Sequence, residues 1–262
     1  MTSKPAQYQV SILGSTWTSA QLNQFMTPFI EDLFKYAGNR VLGGPFASMQ
    51  IPSATFWDSW TSGVKLFGMY EPELFDAVNR AIERKPKTVF NIGCAEGYYA
   101  VGLARRLPYA FVHAYDIDIN SVNLCNEWAE KNGVGERMKA VLADKGQLPV
   151  NPHTGPNLYV IDIEGGEISI LKKNKWLDTC DIIVECHDEE NLPISEIVAG
   201  RFSDTHDITK IMPRNNAPLF AIHCIWPIVT QNIVMLDTRP AGHCWLVMWA
   251  KDNGGMVARQ TP

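Results

Sequence analysis

From residue 88 onward, short apolar runs alternate with segments whose apolar residues recur at helical spacing. This alternation is typical of a parallel β-sheet covered by helices on both faces. The runs predict strands over residues 88–92, 111–115, 138–142, 158–163 and 181–185. Helical patterns fall at 98–107 and 119–131, and a further helix is expected at 168–171. The central part of the chain is therefore predicted to be an α/β domain with a doubly wound, mostly parallel sheet.

The two ends of the chain have less regular patterns. A helix is predicted over 20–36, with Thr18 and Ser19 available to cap it, and another from Glu71-Pro72 through residue 82. Residues 38–68 are glycine- and aromatic-rich and are expected to form a loop or short helices. Toward the C-terminus, 208–212 could be a strand, 219–235 is ambiguous, and 244–249 is a good apolar strand. We expect a helical, aromatic-rich extension over 1–69, acting as a lid, an oligomer contact or plain packing, and one domain over 70–262.

Composition narrows the class of protein. The 262 residues are 46% hydrophobic and 19% charged, as in an ordinary globular protein, and the net charge of −5 offers no basic stripe for nucleic acid. No run of 18 apolar residues and no signal-like segment is present, so neither membrane insertion nor secretion is expected. The six cysteines lack metal-site spacing and are expected to be reduced and mostly buried. A small-molecule ligand and a cytoplasmic location are the default expectations.

The turn after the first predicted strand of the domain has the form of a ligand-binding loop. Gly93, Ala95 and Gly97 would let the main chain approach a ligand closely, because no large side chain stands in the way. About twenty residues later Asp116 ends the next strand, where Rossmann-like folds hydrogen-bond ribose hydroxyls. The G-x-A-x-G spacing and the acidic Glu96 argue against a pyrophosphate, which is bound by G-x-G-x-x-G at a helix N-terminus. A cationic sulfonium with an amino-acid tail fits better.

These residues resemble class I S-adenosylmethionine-dependent methyltransferases, and more narrowly the FkbM-like group, over roughly residues 68–251. The resemblance rests on four segments: Asn91 to Tyr99, Asp116-Ile117-Asp118, Asp162 to Glu167, and Ile182 to His187. The D-I-E-G-G-E block of Asp162 to Glu167 is the most specific of them. It implies a Rossmann-like seven-stranded sheet with the last strand, 244–249, antiparallel. It also implies that the cofactor lies against Asn91, Gly93, Cys94, Ala95, Glu96, Gly97, Tyr98, Asp116, Ile117, Asp118, Asp144, Lys145 and Asp162. Asn91 stands where the family usually has an acid that orients the methionine amino group.

Candidate catalytic groups follow the fourth and fifth strands of the sheet, since ligands of open α/β sheets bind at the carboxyl ends of strands. His187 is the most natural general base by its ordinary pKa, and a flanking carboxylate of Glu185 or Asp188 could orient its ring. Glu164 is the next candidate for a catalytic role. The alternative is that Asp162 contacts the cofactor, Glu164 caps the following helix and His187 bonds a backbone carbonyl. The carboxylates could instead hold Mg²⁺, although the resemblance requires no metal. Tyr70 is a third catalytic candidate if it lies near the open side of the cofactor, and the alternative is that it serves in packing.

Three functions remain open at this point. The first is a methyltransferase acting on a small molecule, with O-methylation favoured over N-methylation because of the carboxylate and imidazole cluster. The second is a lyase or cyclase that consumes S-adenosylmethionine and releases methylthioadenosine. The third is a non-catalytic adenosyl-binding protein, in which the polar groups after strands four and five would have no task.

Overall fold

Helices and strands are defined here for residues 9–12, 15–51, 59–144, 148–149, 156–173, 175–213 and 243–251 of a computed structural model. The strands are β1 (Gln9–Ile12), β2 (Ser15–Thr18), β3 (Thr88–Ile92), β4 (Phe111–Asp116), β5 (Met138–Leu142), β6 (Asn157–Ile161), β7 (Asp181–His187), β8 (His206–Ile211) and β9 (His243–Ala250). The α-helices are α1 (Ser19–Ala37), α2 (Ser59–Phe67), α3 (Phe75–Glu83), α4 (Tyr98–Arg106), α5 (Ile119–Lys131), α6 (Glu167–Ile170) and α7 (Ile194–Phe202). Single 3₁₀ turns occupy Pro72–Leu74 and Leu177–Thr179.

Seven of the strands form one mixed sheet in the order β5-β4-β3-β6-β7-β9-β8. The pairs from β5 to β7 are parallel, whereas β9 runs antiparallel to both β7 and β8. The chain crosses from the β3-β4-β5 side to the other side at β6, which places a topological switch between β3 and β6. The Rossmann-like sheet with an antiparallel last strand is confirmed, and switch points of this kind are where open α/β folds bind ligands.

Both faces of this sheet are covered, as the long apolar strands predict. On one face, Val89, Val160 and Trp245 belong to a core that also includes residues of α1, α3, α4 and α5. On the other face, Tyr159 and Val184 pack with residues of α6 and α7. Because the side chains of a strand alternate between its two faces, every second residue contributes to the core on a given face.

β7 is longer than predicted. The sequence indicates a strand ending at Glu185, but the strand continues through Cys186 to His187 because β9 pairs with it from Ile182 to His187, with His187 opposite His243. His187 is consequently a buried strand residue and not a residue in the following loop. Helix α7 and the β1-β2 hairpin were not predicted, and α6 is a single turn.

Helix α1 begins where the sequence indicates. Thr18 caps it in a capping box with Gln21, which satisfies the backbone N–H groups of both residues. Phe46 lies against the Cα of Gly102, where an added Cβ would come within 2.5 Å of the Phe46 ring. The segment 38–51 is therefore packed on α4 and contributes to the core of the sheet. The domain boundary at residue 69/70 stays a prediction.

Several predicted features fall outside the described residues: Lys145, the ambiguous segment 219–235 and the sixth cysteine, Cys224. The other five cysteines are buried free thiols, as expected. Among the helices that the structure describes, none has the length and apolar character needed to cross a bilayer.

Candidate functional site

Strands β3 and β6 lie side by side at the switch point, and their ends come very close together. Asp162 donates its backbone N–H to the carbonyl of Ile92 at 2.9 Å. A Cβ added to Gly93, which has φ +77°, would lie 1.7 Å from the carbonyl oxygen of Asp162. Glycine is thus required at position 93 because the end of the neighbouring strand approaches it closely. The sequence interpretation instead explained this glycine by the close approach of a ligand.

The loop after β3 turns its backbone N–H groups inward. Gly93 and Cys94 both donate to the carbonyl of Tyr115, at 2.8 and 3.0 Å, and Ala95 donates to the Asp116 carboxylate at 2.9 Å. Ala95 reaches this position with φ +45°, a left-handed conformation that costs a non-glycine residue free energy. Three successive N–H groups of the loop are therefore occupied within the protein.

The two acids after β4 have different surroundings. Asp116 accepts from Ala95 with one carboxylate oxygen and from the backbone N–H of Asp118 with the other, at 2.9 Å. Burial raises the pKa of Asp116, and these N–H donors offset part of the rise. Asp118 instead caps α5, accepting the N–H of Asn120 at 2.9 Å. Asp116 is the acid that lies against the loop.

Gly97 is held by packing within the domain. It has φ +100°, and an added Cβ would lie 2.7 Å from Sγ of Cys125 and 3.2 Å from Val101. The sequence interpretation, in which a side chain at Gly97 would fill the space that a cofactor needs, is corrected here, because that side chain would point into α5. Cys94 is buried beside the same Cys125 thiol, and this contact, together with burial, raises its pKa.

Glu96 forms a buried ion pair with Lys65, whose ammonium also lies 4.5 Å from the centre of the Tyr70 ring. Both charged side chains are less than a tenth exposed. The charge of Glu96 is therefore compensated, and the prediction that it would repel a phosphate does not hold. Tyr98 is buried in the core, with its ring 5.3 Å from that of Phe46.

Asn91 carries a buried acceptor without a partner among the described residues. Its amide nitrogen donates to the carbonyl of Val160 at 3.2 Å, but its Oδ1 has no hydrogen bond. Such an atom lowers stability unless a ligand or a water satisfies it. Asn91 lies two residues before Gly93, on the sheet face that Val89 shares.

Exposed apolar side chains lie beside Asp116 at the carboxyl ends of β4 and β5. Ile117 is 59% exposed and Leu142 is 56% exposed. The N–H of Ala143 donates to the Asp116 carbonyl at 2.7 Å, which brings the exposed Asp144 close to them. These residues form one edge of the site.

A second group of polar side chains lies at the carboxyl ends of β6 and β7. Nε2 of His187 is 4.0 Å from Asp162, 3.5 Å from Glu164 and 3.8 Å from Glu185. On the other side of the ring, Nδ1 is 2.5 Å from a carboxylate oxygen of the fully buried Glu167. We refer to Asp162, Glu164, Glu167, Glu185 and His187 as the strand-end cluster.

Two sequence interpretations of this cluster are wrong. Asp188, the residue after His187, does not orient the imidazole. Its carboxylate turns away from the ring and accepts hydrogen bonds from the backbone N–H and the hydroxyl of Ser195, at 2.6 Å each. Glu164 does not cap α6, which begins after Gly166 without a side-chain cap. The ring of His187 is held by Glu167.

The cluster alters the pKa values of its members. Burial by itself would lower the pKa of His187, but the hydrogen bond to Glu167 and the charges of Glu185, Asp162 and Glu164 together raise it to about 9. Burial, followed by the charge and hydrogen bond of Glu185, raises the pKa of Asp162. His187 therefore carries a proton at neutral pH, and a base role requires that it first lose this proton.

Tyr70 lies between the loop and the strand-end cluster. Burial raises its pKa, as do the nearby carboxylates of Glu71, Asp162 and Glu185 and that of Glu96 in the loop. Its phenol is therefore neutral at physiological pH and can donate a hydrogen bond. Of the residues predicted for catalysis, His187, Glu164 and Tyr70 are all brought to this part of the sheet edge.

Three further residues of the site were not found from the sequence. Glu167 is the last residue of the D-I-E-G-G-E block, so its place in that motif was an unused signal. His243 directly precedes a predicted strand, and its ring centre is 4.5 Å from that of His187. Lys65 gave no signal, because its partner Glu96 is distant along the chain.

The sequence matches no family model and no curated protein. Solved structures that resemble the fold include the StiE O-MT, with 15% identity, coverage of 67% of this chain and 71% of that one, and a TM-score of 0.43. The MccD protein has 14% identity, coverage of 70% and 99%, and a TM-score of 0.41. Geranyl diphosphate C-methyltransferase from Streptomyces coelicolor A3(2), solved with Mg²⁺, geranyl diphosphate and S-adenosyl-L-homocysteine, has 12% identity, coverage of 85% and 97%, and a TM-score of 0.43. At these levels the likenesses identify neither a family nor a reaction for this chain.

Proposed function

We propose that the protein binds S-adenosylmethionine at the carboxyl edge of β3, β4 and β6 and transfers its methyl group to a small-molecule acceptor. The observation that carries this proposal is the hydrogen bonding of the loop after β3. A pyrophosphate would need free backbone N–H groups there, and those of Gly93, Cys94 and Ala95 are already bonded to Tyr115 and Asp116. The loop therefore favours an adenosyl ligand without phosphates.

The charges of the site favour a cationic ligand. S-adenosylmethionine carries an ammonium group and a sulfonium, and the strand-end cluster gathers four carboxylates around one imidazole. The Oδ1 of Asn91 is a buried acceptor of the kind that an ammonium group can satisfy, although an amide oxygen binds a cation less strongly than the usual acid. These features agree with the resemblance to FkbM-like enzymes, which stays part of this proposal.

The adenosine part is assigned to the other end of the site. Asp116 accepts one N–H on each oxygen and retains lone pairs for the ribose hydroxyls. Ile117 and Leu142 offer exposed apolar surface for the adenine ring, with Asp144 beside them. Asp118 caps α5 and donates its backbone N–H to Asp116, so we assign it to holding Asp116 in place and not to direct contact with the ligand.

We assign binding of the methyl acceptor to the part of the site that contains Tyr70, Glu164 and His187. S-adenosylmethionine supplies an already activated methyl group when bound, so the main task of the protein is to hold the acceptor in line with it. The neutral phenol of Tyr70 can donate a hydrogen bond to an acceptor oxygen, and the 89% exposed carboxylate of Glu164 can receive a proton. This arrangement favours O-methylation.

The mild net negative charge favours a small acceptor over nucleic acid, and the five buried free thiols agree with a cytoplasmic location.

Calorimetry tests the binding part of the proposal. S-adenosylmethionine and S-adenosylhomocysteine should bind with one site per chain and raise Tm, since a ligand of the native state stabilises it by mass action. NAD⁺, which has an adenosyl group and a pyrophosphate, is the matched control and should not bind. No heat with either sulfur ligand at millimolar concentration, or equal binding of NAD⁺, would refute the proposal.

Product analysis tests the reaction. The protein is incubated with S-adenosylmethionine carrying a labelled methyl group and with fractions of a small-molecule extract. Methyl transfer gives S-adenosylhomocysteine and a labelled acceptor. Release of methylthioadenosine without an acceptor would instead establish the lyase or cyclase, and binding without turnover in any fraction would favour the non-catalytic alternative.

A further inference from the structure

The paired strands β7 and β9 bring together, on one face of the sheet, three side chains of types that can bind a metal. Glu185 and His187 are two residues apart on β7 and therefore share a face, and His243 lies directly opposite His187 on β9. One ligand atom from each of the three can be chosen so that all lie within 4.8 Å of one another. Glu185 and His187 are less than a tenth exposed.

We propose that Glu185, His187 and His243 form a binding site for a divalent first-row transition metal ion. Ligands of one such ion lie about 2.0–2.2 Å from it and hence roughly 3.0–3.5 Å from each other. Nε2 of His187 is 3.8 Å from Oε2 of Glu185, and Nδ1 of His243 is 3.7 Å from Oε1 of the same carboxylate. Binding of an ion therefore requires the three side chains to rotate closer together.

The contact between Glu167 and His187 is an independent observation that points to a metal. Metal-binding histidines nearly always donate the N–H of their other ring nitrogen to a carboxylate or a carbonyl, which orients the ring. Here Nδ1 of His187 is paired with the fully buried Glu167, and Nε2 is turned toward Glu185. The ring of His187 is therefore oriented with Nε2 toward the position proposed for the ion.

The ligand types decide the class of ion. Two imidazoles and a carboxylate suit Mn²⁺, Fe²⁺, Co²⁺ or Zn²⁺, whereas Mg²⁺ and Ca²⁺ prefer oxygen ligands alone. Asp162 and Glu164, at 4.0 and 3.5 Å from Nε2 of His187, are available as further oxygen ligands. A metal here would lie on the acceptor side of the proposed methyltransferase site, where it could hold an acceptor oxygen.

Metal binding can be measured without S-adenosylmethionine, so the test is independent of the proposed function. The full chain is treated with a chelator, dialysed, and titrated with Co²⁺ by visible absorption and with Zn²⁺ by calorimetry. We expect one ion per chain, without a thiolate-to-metal absorption band, and much weaker binding of Mg²⁺.

Three variants and one control locate the ion. His243→Asn and Glu185→Gln should each weaken Co²⁺ binding at least about tenfold, and Glu167→Gln about 10- to 100-fold through the ring it orients. His113→Asn is the matched control, because His113 is an exposed histidine on β4 that stacks on Phe90. It should bind Co²⁺ like the unchanged protein.

Circular dichroism and Tm identify any variant that fails to fold, and the comparison then rests on those that do. Absence of Co²⁺ and Zn²⁺ binding in the unchanged protein would overturn the proposal, as would equal affinities in Glu185→Gln, Glu167→Gln and His113→Asn. If S-adenosylmethionine binds while neither metal does, the proposed function survives and only the metal site is withdrawn.

Discussion

Replacing Asp116 by alanine separates its role in the loop from its proposed role toward ribose. The carboxylate accepts two backbone N–H groups, from Ala95 and Asp118, at 2.9 Å each. Hydrogen bonds to charged groups are worth about 1.5–3 kcal/mol each. Two such bonds sum to about 3–6 kcal/mol, and because Asp116 is half-buried we expect their loss to lower the free energy of unfolding by an amount near the low end of that range, about 3 kcal/mol.

The effect of Asp116→Ala on ligand binding should be of similar size and separately measurable. Losing the hydrogen bonds to the ribose hydroxyls is expected to cost about 1.5–3 kcal/mol, which corresponds to a rise in Kd of about 10- to 150-fold. Calorimetric titration with S-adenosylhomocysteine measures this change below the Tm of the variant. Asp116→Asn keeps the volume and one acceptor oxygen, so its Kd should lie between those of the other two proteins.

Asp118→Ala is the matched control, because Asp118 is an acid two residues away that caps α5. It should lose about 1 kcal/mol of stability, as expected for an N-cap, with an unchanged Kd. An unchanged Kd in Asp116→Ala would refute the ribose assignment. An equal loss of affinity in Asp118→Ala would show that the affinity follows the stability of the loop and not a contact with the ligand.

Three further predictions concern the surroundings of the site. Lys65→Met should lower the free energy of unfolding by about 3–5 kcal/mol, since it leaves the Glu96 charge buried and unpaired. Denaturant titrations should show that adding Glu96→Gln restores most of this loss, and a double variant no more stable than Lys65→Met would contradict the pairing. Gly97→Val should reduce stability, because its side chain would meet Cys125 and adopt an unfavourable φ; a Tm equal to that of the unchanged protein would show that the loop packs differently. Tyr70→Phe should leave the Kd for S-adenosylhomocysteine unchanged and lower the rate of methyl transfer about tenfold, because one hydrogen bond to the transition state is lost. An unchanged rate with the identified acceptor would show that Tyr70 has only a packing role.

The strands of the sheet and the helices between them could be predicted because their signals are local. The run 88–92, in which Val89, Phe90 and Ile92 are apolar, becomes β3 with the same bounds, and 119–131 becomes α5. Thr18 and Gln21 carry the capping box within a single turn. In the same way, the turn after β3 and the acid that ends β4 could be identified from the order of residue types alone.

Only the tertiary structure decided how the polar residues are used. The sequence places Gly93 and Gly97 in a turn, but their neighbours come from β6 and α5, so the reason for each glycine is a long-range contact. The sequence shows Glu96 as an isolated acid, and folding brings Lys65 to it. Charge compensation between residues distant along the chain cannot be deduced from local spacing.

The strand-end cluster shows the same division. From the sequence, Asp162 and His187 could be placed at the carboxyl ends of two parallel strands and hence at one edge of the sheet. The sequence could not determine that β7 extends to His187, because this requires pairing with β9, nor that Glu167 and His243 approach the ring from two sides. Local periodicity decides which residues form strands, whereas strand register, which depends on the packing of the whole sheet, decides which side chains meet.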